Sequence, residues 1–300
     1  MTWLSLSLST MLCMTALRLF QKAFVSRNPT MNAFRINWLA FTFSLPVIII
    51  IIAFNINIIE RLSSAFWLTL VAVVVGFYPI VNYLFFDVIR RNELSEVLPL
   101  LGLIPILTAL FGWLFLNQDP SLLALGGIIS ICASIYCLQL HRTKKWFEPF
   151  RALASSRSAR SMAVISLITA VAAIGDKYAI ERSTTAIYMA LNTAGAILVL
   201  VVCDLIFKNR WVPSIRNELA RLPGKQWLLI SCLGLVQLAT QTSGFIAVNV
   251  SSNTSYTVAI RNLNIVAASL VALVLYHESV NRYKFISYGL SALGVVMIAL

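Results

Sequence analysis

Ten apolar runs of about twenty residues, parted by short polar breaks, fill this chain; they lie near 3–25, 32–54, 66–89, 95–116, 121–140, 161–180, 185–207, 226–248, 253–276 and 284–300. A helix needs roughly 20 apolar residues to cross the hydrocarbon core of a bilayer. Within that core every backbone polar group has to be paired inside the protein. The pattern therefore predicts an all-α integral membrane protein with ten transmembrane helices. Composition agrees, since 59% hydrophobic residues against 11% charged lies outside the globular range. The first run begins without a basic leader or a small-residue cleavage site, so it is expected to be a retained span.

The runs repeat. Sliding Trp227–Glu278 back by a constant 160 residues lays Trp227 on Trp67, Phe245 on Phe85, Ser255 on Ser95 and Glu278 on Gln118 without a gap. A shift of 155 lays Lys177 on Lys22, Arg182 on Arg27 and Asn192 on Asn37. Two homologous five-helix repeats follow, at 1–140 and 161–300, joined by a basic linker loop at 141–160. An odd number of spans per copy makes the second enter the membrane in the opposite sense. Such inverted repeats build transporters in which substrate sits near the midplane and is exposed alternately to each side.

Net charge is +12. With ten spans, the linker, the 208–225 loop, Arg27, Arg90, Arg91, Arg282 and Lys284 all fall on one face. That face holds sixteen basic residues, against Arg61 and Arg182 on the other. The positive-inside rule places the basic face in the cytoplasm and both termini outside. The expected partners are anionic lipid headgroups near the basic loops and a small-molecule substrate. No nucleic acid is expected, because the run 151–160 lacks the aromatic residues on which bases would stack. The five cysteines lie within apolar runs, with no C-x-x-C pair. His141 and His277 match no metal spacing, so neither metal nor other cofactor is expected. Monomer and homodimer both remain open.

Two short motifs add to this. Tyr276-His277-Glu278, followed by Ser287 and Gly294, has a counterpart in Leu116-Asn117-Gln118, followed by Gly127 and Ser134. Pro99 lies near the start of the fourth run, where the ninth has Ala259. With these motifs, the chain resembles over its whole length the EamA-like ten-helix carriers of the drug/metabolite transporter superfamily. The resemblance implies a metabolite transporter, and it implies termini in the cytoplasm, opposite to the charge count.

Ionisable groups within spans are costly and mark functional sites. Arg261 falls about nine residues into the ninth span, roughly 13 Å along a helix rising 1.5 Å per residue, near the midplane. Asn262 is adjacent and Asn264 lies one turn on. A guanidinium there keeps its proton, so it meets an anionic substrate or pairs with Asp87 or Asp176. Arg18 and Lys22 share one face of the first span, although Lys22 can also snorkel to the interface. Asp176 and Lys177 occupy the sixth span, where an interhelical ion pair is the plainer alternative. Asn82 and Tyr83 belong to a polar stripe beside Pro79, Asn192 repeats Asn37, and Gln241 lies on a second stripe with Gln237 and Thr240. Substrate binding is therefore expected at Arg261, Asn264, Asn262, Arg18, Lys22, Tyr83, Asn82, Lys177, Asn192 and Gln241, and ion coupling at Asp87 and Asp176. The first copy has Leu101 and Ile104 at the Arg261 and Asn264 positions, so the scaffold repeats but its polar chemistry does not.

The expected function is secondary transport of a small polar metabolite, anionic or zwitterionic, by alternating access across a cell membrane, with a bacterial inner membrane as the setting. No phosphate loop accompanies it. A non-transporting scaffold or subunit is the alternative. An intramembrane lipid-modifying enzyme has less behind it, because no nucleophile with a base and no catalytic constellation is legible.

Overall fold

The computed structural model describes residues 2–27, 33–91, 98–143, 157–206, 224–276 and 282–300, and no strand occurs among them. Among the described residues ten longer helical segments follow one another, with the short helix Ile56–Ile59 between the second and third. Segment 1 is Thr2–Arg27, segment 5 Leu122–Thr143, segment 6 Arg157–Glu181, segment 7 Thr185–Ile206, segment 8 Gly224–Val250 and segment 10 Arg282–Ala299. The other four change geometry along their length. Segment 2 is Ala33–Thr42 then Leu45–Phe54, and segment 3 is Ser64–Val71, Ala72–Phe77 and Tyr78–Arg91. Segment 4 is Leu98–Leu103 then Ile104–Leu116, and segment 9 is Thr254–Asn262 then Asn264–Tyr276.

By length and composition five of these helices can each cross a membrane, within segments 1, 3, 6, 7 and 8, and segment 2 makes a sixth if its two halves form one span. Leu101–Leu116 and Leu122–Leu138 are apolar but shorter. The chain is an all-α membrane protein.

The interruptions have local causes. Pro46 stands in the first turn of Leu45–Phe54 and cannot donate back to Thr42, and the two halves of segment 2 meet at 59° where a single straight span was expected. Pro79 likewise removes a backbone donor from segment 3. The turn ahead of it widens to π geometry over Ala72–Phe77, with the Tyr78 N–H reaching back to the Val73 carbonyl. Segment 4 enters as a 3-10 helix through Leu103, with Pro105 in the first turn of the α-helix that follows. Because Pro105 has no N–H, the Leu101 carbonyl cannot join an α-helical i→i+4 bond, which fits the 3-10 entry of this segment. Segment 9 breaks at Leu263 with no proline at all. There the Asn264 side-chain amide donates to the Arg261 carbonyl at 3.0 Å, taking the place of a ladder bond.

Leu103 and Leu263 are 160 residues apart, so both copies change helical geometry at one register. The packing follows the same correspondence. Segment 1 packs on 8 and 9 as segment 6 packs on 3 and 4, while 2 pairs with 7, 4 with 9 and 5 with 10. Each of these pairings crosses between the copies. Segments 5 and 10 approach most closely at Gly127 and Gly294, where a Cβ on either would lie 2.8 or 2.7 Å from the other's carbonyl oxygen. Ser130 donates across the same seam to the Leu290 carbonyl at 2.8 Å.

Apolar packing gathers toward the two ends. Leu17, Phe24, Ile36, Leu39, Phe85, Ile104, Met162 and Leu233 form one cluster, toward the end of the bundle that carries Arg27 and Arg90. Phe66, Leu70, Val74, Ile180, Tyr188 and Val248 form another toward the opposite end.

Candidate functional site

Between these clusters lies a cavity of about 280 Å³. Segments 1, 2, 3, 4, 6, 7, 8 and 9 all contribute to its wall, so both copies build it. The breaks described above place the key backbone there. Asn262 donates its side-chain amide to the Leu101 carbonyl at 3.1 Å, tying segment 9 to segment 4. The two irregular helices thus meet at the cavity wall, and Arg261 projects from that junction.

Arg261 donates no side-chain hydrogen bond to any described residue, and its Nε is buried without an acceptor. Arg18, also in the wall, donates to Gln21 at 3.1 Å and lies over the Phe85 ring at 4.2 Å from its centroid. Neither partner cancels its charge. Asp176 is the one acid among the described lining residues. Its carboxylate accepts from the Tyr188 hydroxyl, which is packed edge-on against Phe245 and Phe66. An ion pair within 4 Å of Arg261 is absent among the described groups.

Amides complete the polar wall. Asn82 accepts from Asn37 and donates to the Tyr78 carbonyl, and Gln241 accepts from Thr193 at 3.1 Å. Asn192 is buried with its Oδ1 lacking a donor. Arg261 Nε and Asn192 Oδ1 are thus both buried without a hydrogen-bond partner among the described residues. Phe41, Phe77, Tyr78, Phe85 and Phe245 supply aromatic surface.

Of the residues expected from sequence, the structure brings Arg261, Asn264, Asn262, Arg18, Asn82, Asn192, Gln241 and Asp176 to this one cavity. Tyr83 turns outward, half exposed and stacked on Phe34. Lys177 lies off the cavity and donates to the carbonyls of Val248, Asn249 and Ser251 at 3.0 to 3.2 Å, capping the end of segment 8, with Glu181 at 3.4 Å. Asp87 is not among the lining residues and makes other interactions. The Lys22 side chain lies outside the described residues. Arg35 and Asp204, which the sequence places among midspan charges, form a buried ion pair of 3.0 Å between segments 2 and 7, with Trp38 donating to the same carboxylate.

Sequence reasoning did not foresee Tyr188 as the partner of Asp176, nor the aromatic wall, because an apolar run does not mark which aromatic faces inward. It also missed the role of Gln118, whose side-chain oxygen accepts the Thr254 N–H at 3.0 Å and caps segment 9 from the opposite copy. The glutamine at the position of Glu278 was the available signal. Glu278 and His277 lie outside the described residues.

Residues 1–140 match the EamA-like transporter family. The matched stretch holds segments 1 to 4 and most of segment 5. A solved crystal structure, described simply as that of a protein, superposes on the chain with a TM-score of 0.72 at 17% identity, covering 98% of this chain and 95% of that one. That likeness covers nearly the whole chain and speaks to fold alone. A comparison with curated proteins finds no match. The match of residues 1–140 to a transporter family supports a transporter-like role in general.

Proposed function

We propose that the EamA-like chain is a secondary transporter that moves a small polar metabolite, anionic or zwitterionic, by alternating access. The observation that carries this reading is Arg261, a guanidinium without an acceptor, set at a helix break in a cavity shared by both repeats. A charge inside a span is retained where it has work to do, and an unpaired one in a cavity calls for an anionic group from outside the chain. The same unpaired charge weighs against a purely scaffolding role. The setting proposed is a cell membrane, the bacterial inner membrane, with the basic loops against anionic headgroups. Of the two acids considered for ion coupling, Asp176 is the one in the cavity wall.

Purified protein reconstituted in liposomes and screened with labelled metabolites tests the reading. An identified substrate whose uptake is unchanged by Arg261→Ala would remove that residue from the site. Uptake unaffected by Lys22→Ala would do the same for Lys22.

A further inference from the structure

The reading above leaves the substrate's charge open between anion and zwitterion. Resting on that reading, we propose that the cavity selects a substrate of net charge minus one, and that Asp176 sets this number.

The charged groups among the described lining residues are Arg18, Arg261 and Asp176, a formal excess of one positive charge. No other charged side chain among the described lining residues offsets it. Arg18 rests on an amide oxygen and a ring face, and Arg261 has no acceptor. Asp176 is engaged by the neutral Tyr188 hydroxyl, without an ion pair of 4 Å or less to either arginine.

Alternating access requires the cavity to close around its contents and lose water, which strengthens every uncompensated charge inside. A monoanion brings the enclosed charge to zero. A net-neutral zwitterion leaves the excess positive charge in place, and a dianion reverses it. The class is therefore a small monoanion.

Three probes of nearly one shape separate charge from fit: succinamide, neutral; succinamate, a monoanion; and succinate, a dianion near neutral pH. Binding is read from the thermal stabilisation of the purified full chain in detergent. Wild type is expected to prefer succinamate. Asp176→Asn, which keeps an acceptor for Tyr188, is expected to raise the succinate to succinamate affinity ratio by about tenfold or more, equivalent to about 1.4 kcal/mol. Arg18→Gln is expected to move preference the other way, toward succinamide, and carries the test if Asp176→Asn does not fold. An unchanged charge preference in both variants, with anions still bound, overturns this inference and leaves the anion reading standing. A wild-type protein stabilised by none of the three, or equally by all, overturns both.

Discussion

Arg35 and Arg261 show that a guanidinium inside this bundle has two different fates. Arg35 is fully committed, paired with Asp204 where Trp38 adds a third hydrogen bond. Removing one member of a buried pair leaves the other charge stranded, so Asp204→Ala is expected to destabilise the protein by about 3–5 kcal/mol. Thermal unfolding in detergent measures it, and an Arg35→Met, Asp204→Leu double variant should recover much of the loss. Lys177 belongs with Arg35. Three carbonyls at the end of segment 8 hold it, so Lys177→Met should lower the melting temperature yet leave substrate affinity unchanged. An affinity loss with normal stability would return Lys177 to the binding site. At this scale the sequence told which residues were expensive but not which were already paired. A pair such as Arg35 and Asp204, 169 positions apart, is formed by tertiary packing and has no local signature.

Elements were more legible. Apolar length announced the helices; of the prolines at three of the four irregularities, only Pro79 had been singled out, while Pro46 and Pro105 lay unread within apolar runs. The break at Leu263 had no such warning, because it depends on Asn262 and Asn264 finding partners in place of the ladder. The small residues of segments 5 and 10 were visible as motif positions, and their reason is now steric. Gly127 and Gly294 face each other's carbonyls at distances no Cβ tolerates. Gly127→Ala must push the two helices apart, and overpacking of this kind costs about 1–3 kcal/mol. A melting temperature equal to wild type would show that the seam yields more easily than the backbone contact implies.

For the molecule as a whole, the internal repeat was the decisive sequence signal. With the apolar runs it pointed to an all-α membrane protein, but not to the degree to which the segments interleave. Since the main pairings run from one copy to the other, neither 1–140 nor 161–300 buries its own helix faces. Each expressed alone is expected to be degraded or aggregated, and coexpression to restore a protease-resistant species. Orientation is decided separately. Cysteines placed in the 141–160 loop should resist an impermeant thiol reagent in intact cells if the basic face is cytoplasmic, and ready labelling would reverse that assignment.

The two helix interruptions at Leu103 and Leu263 differ in permanence. In segment 4 the missing donors at Pro99 and Pro105 belong to the covalent chain, so that kink can never heal. Segment 9 contains no proline between Thr254 and Tyr276, and only the Asn262 and Asn264 amides keep it open. Of a duplicated pair of joints, one is welded and the other latched.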